Sequence, residues 1–421
     1  MEKILYKNAR LKGMEEVQDL YIENGIFKEI GKELEKKYSE VKIIDLDGYL
    51  TIPPYIDPHI HLDYVYTARR PGANNNTGTL FEGIQRWSET KSSMTKEEIK
   101  ERAKIAIKKQ MLHGTQYMRT HVDVTDPNLT ALKAILELRE EMKDLIEIQI
   151  IAFPQEGMYS YKDGDKLVEK ALQMGADVVG AIPHFEFTWE LGEKSIKKTV
   201  ELAKKYNKLI DVHCDETDDP NSRFLELLAG EVYMNDMGEK TTASHTCAMG
   251  SYDNAYAFKL FRLLKLSNIN IIACPTENIH LQGRYDTYPK RRGLTRVKEL
   301  NDAGINVCFA QDSMSDPWYP LGNGNLMTIL DFGIHIGHMM TFEEIINSLD
   351  LITVNSAKTL HIQDRYGIEV GKEANFIVLD AKNEFDAILE RVGIKKSIRY
   401  GKILFEKEPQ IIDSKLEFFT K

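Results

Sequence analysis

The chain has 421 residues, of which 42% are hydrophobic and 29% charged, and its formal net charge is -10. This mix predicts a globular protein with a sizeable core, and the negative charge, which phosphate backbones repel, argues against nucleic-acid binding. Because no apolar run reaches the roughly 20 residues of a membrane span and the N-terminus lacks a secretory signal, we expect a cytoplasmic protein that does not act at a membrane.

Both ends of the chain predict short strands joined by turns. Near the N-terminus, Asn24-Gly25 lies between β-forming residues, which is a strong hairpin signal. Near the C-terminus, the segments 375–380 and 397–404 have the same β-rich pattern. We therefore expect residues 1–52 and 365–421 to pair into one small β-sandwich domain.

Between these ends, short β-branched runs alternate with long amphipathic segments. One helix is expected from Thr95 to His113, because Thr95 and Glu98 have the spacing of a capping box. Eight candidate strands lie near residues 52–60, 116–121, 146–152, 177–183, 208–213, 241–245, 269–274 and 305–310. Eight β/α units over residues 53–364 predict a closed, parallel (β/α)₈ barrel of the TIM type.

Catalytic groups of such barrels lie at the C-terminal ends of the strands. His59 and His61 close the first strand, and a spacing of two puts both imidazoles on one face of it. His213 closes the fifth strand and Asp312 the eighth. Three neutral imidazoles and one carboxylate form a ligand set for a divalent ion such as zinc or iron(II). Such an ion, with one position open to water, would supply a hydroxide nucleophile near neutral pH.

Two further strand ends carry candidates for acid–base chemistry. His245 closes the sixth strand and could act as a base or electrostatic partner of the water, or could simply bind a backbone carbonyl. Glu216 follows the fifth strand and could carry a proton from the attacking water to a ring nitrogen. Because Asp215, Asp218 and Asp219 accompany it, the spacing does not identify which acid acts.

Other polar and aromatic residues are candidates for a binding pocket. Gln155 follows the third strand, and its carboxamide offers a donor and an acceptor in one plane, which matches the edge of a pyrimidine. Trp318 could form an aromatic wall or pack at the rim. His121 and Asp123 could orient a metal ligand or form an internal ion pair.

These motifs resemble the amidohydrolase superfamily and, more closely, the bacterial cytosine deaminase family. The first resemblance rests on the H-x-H of strand one, the histidines of strands five and six, the aspartate of strand eight and the motif GKEANFIVLD at 371–380. The closer resemblance rests on PHIHLD (58–63), GTLFEGI (78–84), RTHVDV (119–124), AFPQEG (152–157), IPHFEF (182–187), DVHCDE (211–216), NIHLQGR (278–284) and DPWYPLG (316–322). It extends over about residues 50–380.

The resemblance implies roles for individual positions. The implied metal ligands are His59, His61, His213 and Asp312. Glu216 is implied as the proton shuttle, His245 together with Asp312 as the group that handles the water proton, and Gln155 as the reader of the base edge. The resemblance also implies one iron(II) or zinc ion per subunit, a cytosolic role in pyrimidine salvage and a homo-oligomer. The fourth strand ends without the lysine expected in two-metal barrels of this kind, which supports one metal.

The chain departs from the family pattern at three places. Ser313 replaces a second aspartate after the metal aspartate, Gln311 replaces a histidine before it, and Thr276 and Glu277 replace apolar residues. Ser313 would open room beside the amino group and the neighbouring ring carbon. Glu277, if buried, would need a ligand donor or cation, whereas it could also point into solvent.

We therefore predict hydrolytic deamination of a cytosine-type free base, cytosine to uracil, with release of ammonia. The predicted substrate-binding residues are Gln155, Ser313, Trp318 and Glu277. Alternative substrates are 5-methylcytosine, which Ser313 favours, isoguanine, and a cyclic guanidine such as creatinine, which Glu277 favours.

Two hypotheses of other classes are weaker. A non-catalytic scaffold barrel would not need every ligand and shuttle position, yet all of them are present. The zinc deaminases that carry H-x-E and P-C-x-x-C share only the pattern His184-Phe185-Glu186 with this chain, which has no C-x-x-C. Its four widely spaced cysteines are expected to be reduced thiols.

Overall fold

The structure is a computed structural model that describes residues 2–408, so residue 1 and residues 409–421, which belong to the predicted β-domain, lie outside the described part. The strands are β1 (Lys3–Leu11), β2 (Gln18–Glu23), β3 (Ile26–Gly31), β4 (Lys42–Asp45), β5 (Leu50–Ile52), β6 (Tyr55–Ile60), β7 (Thr115–Asp123), β8 (Glu147–Phe153), β9 (Val178–Ala181), β10 (Leu209–Cys214), β11 (Thr241–His245), β12 (Asn270–Ala273), β13 (Val307–Phe309), β14 (Phe376–Leu379), β15 (Ile394–Arg399) and β16 (Lys402–Glu406).

The α-helices are α1 (Leu80–Lys91), α2 (Lys96–Leu112), α3 (Thr130–Met142), α4 (Gly164–Met174), α5 (Trp189–Tyr206), α6 (Phe224–Met234), α7 (Asn254–Ser267), α8 (Pro275–Leu281), α9 (Val297–Asp302), α10 (Leu326–Ile336), α11 (Phe342–Asn347), α12 (Val354–Thr359) and α13 (Glu384–Leu389). Short 3₁₀ turns span Leu34–Lys36, Pro183–Phe185, Cys247–Ser251 and Ser348–Ile352. Within the described part, none of the helices is long and apolar enough to cross a membrane.

Strands β6 to β13 form one parallel sheet in which each strand pairs with the next along the chain. The sheet closes because Asp312, just beyond β13, bridges to Ile60 at the end of β6. The Asp312 N–H donates to the His59 carbonyl at 2.8 Å, and the Asp312 carbonyl accepts from the His61 N–H at 3.3 Å. All eight predicted strands are present, and the predicted (β/α)₈ barrel is confirmed.

The predicted helix after the first strand is α2. The Thr95 hydroxyl caps it by accepting from the Glu98 N–H at 3.2 Å, as the sequence predicts. The Glu98 carboxylate turns to Arg70 and to Arg102 instead of completing the capping box. This pairing holds α2 against the loop that leaves β6.

A buried ion pair crosses the barrel between β7 and β10. The Arg119 guanidinium donates to Asp211 Oδ2 at 3.1 Å and to Gln149 Oε1 at 3.0 Å, and both charged side chains are fully buried. The same guanidinium donates to the Thr359 carbonyl at 2.7 Å. Because these contacts satisfy most of its donors, the charge is tolerated inside the barrel.

The remaining strands form a mixed sheet in the order β16-β15-β14-β5-β1-β2-β3, with β4 also paired to β1. The antiparallel pairing of β5 with β14 joins the two ends of the chain, as predicted. The predicted hairpin joins β2 to β3 through Asn24 (φ 54°) and Gly25 (φ 78°), the left-handed pair of a type I′ turn. Residues 2–54 and 365–408 form one compact unit, and Tyr55–Asp364 forms the other.

We predict that Arg119→Met lowers the free energy of unfolding by about 3–5 kcal/mol, because it leaves the Asp211 carboxylate buried without its partner. Urea titration followed by circular dichroism measures the loss. Lys96→Met is the matched control, since it breaks the exposed pair with Glu137 and costs no more than about 1 kcal/mol. Equal losses in the two variants would contradict the buried pair's importance.

Candidate active site

The barrel brings the histidines and aspartate of the strand ends together. His59, His61 and His213 are buried, and the facing Nε2 atoms of His61 and His213 lie 3.2 Å apart. Asp312 Oδ1 lies 3.5 Å from His59 Nε2 and 3.5 Å from His61 Nε2. In tetrahedral zinc coordination, two ligand atoms of the same ion are about 3.4 Å apart. These three distances are close to that between two ligands of one metal ion.

The ring nitrogens of this cluster are also in the right state for a metal ion. His59 Nε2 has no hydrogen-bond partner among the described residues. Burial, with neighbouring histidines adding to its effect, holds the pKa of His59, His61 and His213 well below the ordinary range. Neutral imidazoles are the form that binds a metal ion, so the His/Asp cluster fits a divalent metal.

A chain of polar groups orients His59 from behind. Its Nδ1 lies 3.0 Å from the Ser244 hydroxyl, which donates to Asp211 Oδ1 at 2.7 Å, and Asp211 in turn pairs with Arg119. His121 Nε2 lies 3.1 Å from the same His59 Nδ1. These contacts leave His59 Nε2 turned toward the cluster. The sequence did not predict the role of Ser244, whose only signal is its place before His245.

The structure distinguishes between the two alternatives predicted for His121 and Asp123. His121 packs against His59, whereas Asp123 accepts from Lys91 Nζ at 2.9 Å and Trp87 Nε1 at 2.8 Å. The suggested ion pair between the two residues is wrong. They diverge because Asp123 lies at the end of β7, where α1 supplies a cation and an indole donor.

His245 lies between Glu216 and Asp312. Its Nδ1 is 3.6 Å from Glu216 Oε1 and 3.7 Å from Asp312 Oδ2. Asn278 Oδ1 accepts from the Cys274 N–H at 3.2 Å, so the Asn278 NH₂ group faces His245 Nδ1 at 3.1 Å and donates to it. Burial, aided by His184, lowers the pKa of His245 to about 3. The neutral ring therefore carries its proton on Nε2. In this state His245 Nε2 is a hydrogen-bond donor. Its Nδ1 accepts from the Asn278 side chain, whereas the alternative that the sequence left open was a contact with a backbone carbonyl.

Among the four neighbouring acids, Glu216 is the one that lines the cavity beside the histidines. The Asp215 carboxylate accepts from the backbone N–H groups of Phe224 and Leu225 and so caps α6. Asp218 accepts from the Gly283 N–H at 2.7 Å. Burial raises the pKa of Glu216 to about 8. A group with such a pKa can both take and give a proton near neutral pH.

One small cavity is bounded by most of the predicted site residues. It is lined by His61, Tyr64, Leu80, Gln155, His213, Glu216, Glu277, Asp312, Ser313 and Trp318. Gln155 Oε1 is buried without a hydrogen-bond partner among the described residues. Tyr64, which was not predicted from the sequence, stacks on His61 and packs at a tilt against Trp318, and its ring centroid lies 4.5 Å from that of each. The aromatic wall is thus built from two rings.

The three departures from the family pattern have different positions. Glu277 is buried and faces the cavity with Oε2 unpaired, so the alternative that it points into solvent is wrong. Burial and the nearby charge of Asp312 raise the pKa of Glu277 well above its ordinary range. Gln311 instead holds a loop, since its side chain donates to the Ser313 carbonyl and accepts from the Gly324 N–H. Thr276 is buried, and its hydroxyl has no hydrogen-bond partner in the described part of the chain.

Comparison with known proteins defines the family. The Amidohydrolase family profile matches residues 42–405. The crystal structure of 5-methylcytosine deaminase from Klebsiella pneumoniae, liganded with 5-fluorocytosine, is 52% identical with a TM-score of 0.95, and the alignment covers 97% of this chain and 99% of that one.

Two curated relatives extend the comparison. N-isopropylammelide isopropyl amidohydrolase of Pseudomonas sp. strain ADP is 30% identical over 409 residues, which are 96% of this chain and 98% of that protein. Pterin deaminase of Rhizobium rhizogenes is 25% identical over 398 residues, which are 93% of this chain and 88% of that protein. The chain belongs to the amidohydrolase family, which confirms the predicted resemblance.

We expect Gly83→Ala to displace Trp318 from the cavity wall. An added Cβ at Gly83 would lie 2.4 Å from Trp318 Nε1, so the indole must move. Tryptophan fluorescence should shift, and the thermal unfolding midpoint should fall. Gly230→Ala on α6 is the control, because its Cβ meets nothing within 4 Å and alanine stabilises a helix by about 1 kcal/mol relative to glycine. An unchanged emission spectrum in Gly83→Ala would show that the wall is not tightly packed.

Proposed function

We propose that this protein hydrolyses the exocyclic amino group of a cytosine-type free base and releases ammonia. The observation that carries the proposal is the single cavity in which Gln155, Glu216 and the cluster of His61, His213 and Asp312 face one another. The 52% identity to a 5-methylcytosine deaminase over nearly the full chain supports the same reaction class. We further expect a homo-oligomer in the cytoplasm, as the sequence predicts.

A single divalent ion, iron(II) or zinc, completes this proposal. The four proposed ligands are His59, His61, His213 and Asp312. Their support is three distances of 3.2–3.5 Å between donor atoms, which join His61 to His213, His59 to Asp312 and His61 to Asp312, together with His59 Nε2, which has no hydrogen-bond partner among the described residues. When bound, such an ion acts as a Lewis acid that lowers the pKa of water toward neutrality.

The base is held by the cavity wall. Gln155 Oε1, which has no hydrogen-bond partner among the described residues, can accept from a ring N–H, and the amino group in the same plane can donate to a ring C=O. Trp318 and Tyr64 form an aromatic side against which a flat ring can pack. Together these contacts orient the carbon that bears the amino group toward the histidine cluster.

Protons move through Glu216, Asp312 and His245 in this proposal. A water oxygen adds to the amino-bearing ring carbon while Glu216 transfers a proton to the adjacent ring nitrogen. Asp312 Oδ2, which faces His245, takes a proton from the water, and His245 donates from Nε2 to the developing oxyanion. Asp312 then passes that proton to the amino nitrogen, and Glu216 takes the proton of the new hydroxyl as the C–N bond breaks. The amine leaves as ammonia and the ring carbon becomes a carbonyl.

Two residues that depart from the family pattern, Ser313 and Glu277, line the cavity and influence which substrate ring is preferred. Ser313 is small and uncharged, so it leaves space for a substituent next to the amino group. Glu277 returns a carboxyl group to the cavity from α8, where it can bind a donor of the substrate. The similarity to a 5-methylcytosine deaminase favours 5-methylcytosine over cytosine, isoguanine and creatinine.

The deciding experiment measures ammonia release by metal-replete protein with cytosine, 5-methylcytosine, isoguanine, creatinine and adenine, compared by kcat/KM. A clear preference for cytosine or 5-methylcytosine supports the proposal. A preference for isoguanine or creatinine would contradict the proposed substrate class but not the proposed reaction type. Absence of both turnover and metal uptake would favour the scaffold hypothesis.

Glu216→Gln should keep its metal content and lose about 10²- to 10⁴-fold in kcat, because the carboxamide cannot carry a proton. Elemental analysis and the ammonia assay test the two statements together. Glu226→Gln is the control, because Glu226 of α6 pairs with Lys259 of α7 and is not among the residues that line the cavity. This variant should keep the parent kcat. Full turnover by Glu216→Gln would remove the shuttle role from this residue.

Ser313→Asp should shift the ratio of kcat/KM toward plain cytosine by about 10-fold or more, because a carboxylate would fill the space beside the ring methyl. Ser313→Ala, which changes neither size nor charge greatly, should keep the parent ratio. If Ser313→Asp also keeps the parent ratio, position 313 does not set the preference.

A further inference from the structure

Glu156 shares a tight turn with Gln155, although no step of the proposed reaction uses it. The Gly157 N–H donates to the Pro154 carbonyl at 2.9 Å, so Gln155 and Glu156 are the two central residues of a β-turn that follows β8. Gln155 is buried and lines the cavity, whereas the Glu156 side chain is partly exposed and contacts α1. The position of Glu156 therefore bears directly on that of Gln155.

Helix α1 holds the Glu156 carboxylate by both of its oxygens. The Lys91 ammonium group donates to Oε1, and the Ser88 hydroxyl donates to Oε2 at 3.0 Å. Because Ser88 and Lys91 are three residues apart, both donors project from the same face of the helix. Two donors on one helix fix the place of the carboxylate, and the charge of Lys91 strengthens the contact.

The Lys91 ammonium group is fixed in turn by residues at the end of β7. It donates to Asp123 Oδ2 at 2.9 Å and to Thr125 Oγ1 at 2.8 Å, as well as to Glu156. Its three protons thus have three acceptors. Because the Lys91 side chain is only 13% exposed, water screens these contacts much less than those of a surface ion pair.

The chain that follows the turn has a separate anchor. The buried Glu186 carboxylate accepts from the N–H groups of Met158 at 2.6 Å, Tyr159 at 3.2 Å and Ser160 at 2.8 Å. Gly157, whose φ is 91°, joins this anchored segment to the turn. The far end of the turn is therefore held by Glu186, and its centre is held through Glu156.

The Gln155 side chain depends on the turn for its direction. Its Oε1 is buried and has no hydrogen-bond partner among the described residues. A displacement of the turn by a fraction of an ångström would move the amide relative to a bound ring. Such displacements matter because substrate groups react efficiently only from a closely defined geometry.

We propose that Glu156 is a positioning residue, whose contacts with Lys91 and Ser88 hold the turn so that the Gln155 amide meets the base in one orientation. The inference rests on the proposed function, in which Gln155 pairs with the ring. Without the carboxylate, the turn can shift and the hydrogen bonds to the ring become longer. The proposed metal ligands lie at other strand ends and should be unaffected.

A double-mutant cycle in the full-length, metal-replete protein tests this role, with cytosine or 5-methylcytosine, whichever reacts faster, as the substrate. Gln155→Ala removes two hydrogen bonds to the ring and should lose about 10- to 100-fold in kcat/KM. Glu156→Ala should lose about 10-fold, chiefly through a higher KM, with unchanged metal content. In the Gln155→Ala background the same change should cost less than about 2-fold, because the amide that it positions is already absent.

Two further variants control for shape and charge. Glu156→Gln keeps an oxygen acceptor for Lys91 in nearly the same volume and should recover most of the parent kcat/KM. Glu89→Ala removes a carboxylate from the same helix, where Glu89 pairs with Arg86 at 3.2 Å and is 48% exposed. It does not contact the turn and should keep the parent KM.

The outcomes separate this inference from the function on which it rests. An equal loss from Glu156→Ala in both backgrounds would overturn the positioning role, because the effect would not pass through Gln155. A lower thermal unfolding midpoint with the parent KM would also overturn it, because the contact would then serve stability alone. Absence of turnover by the parent protein with every base of the panel would overturn the proposed function and this inference together.

Discussion

The site depends on the way in which the barrel closes. Closure pairs Asp312 with the backbone of His59 and His61, so the same hydrogen bonds that complete the sheet also bring the aspartate to the H-x-H pair. A left-handed backbone at Asp312 is the local cost of that closure. Because His213 approaches from β10 on the opposite side, the cluster exists only when all eight strands have their correct order.

Charge burial gives the site its chemical character. Glu216, Glu277, Asp312 and Asp316 are all buried, and burial raises the pKa of each. Burying several carboxyl groups beside neutral imidazoles is costly unless a cation or hydrogen-bond donors answer them. The divalent ion and the substrate ring of the proposed function would offset that cost.

Residues behind the cavity set the protonation and the orientation of the catalytic-site histidines in the proposed function. Asn278 is held by the Cys274 N–H, and this contact decides which atom of its amide meets His245 and hence where the His245 proton lies. On the other side, Ser244 and Asp211 turn the His59 ring. Substitution in this supporting layer would leave every cavity residue in place while changing its protonation or orientation.

The sequence by itself determined the strand ends and the residues on them, because a strand's period and the alternation of β and α units are local properties. His59, His61, His213 and Asp312 could be found in this way, and so could the hairpin at Asn24-Gly25. Only the tertiary structure decided that Glu277 faces the cavity and that the Gln311 side chain holds a loop. These facts depend on which side chains meet across the barrel, over separations along the chain that no local pattern encodes.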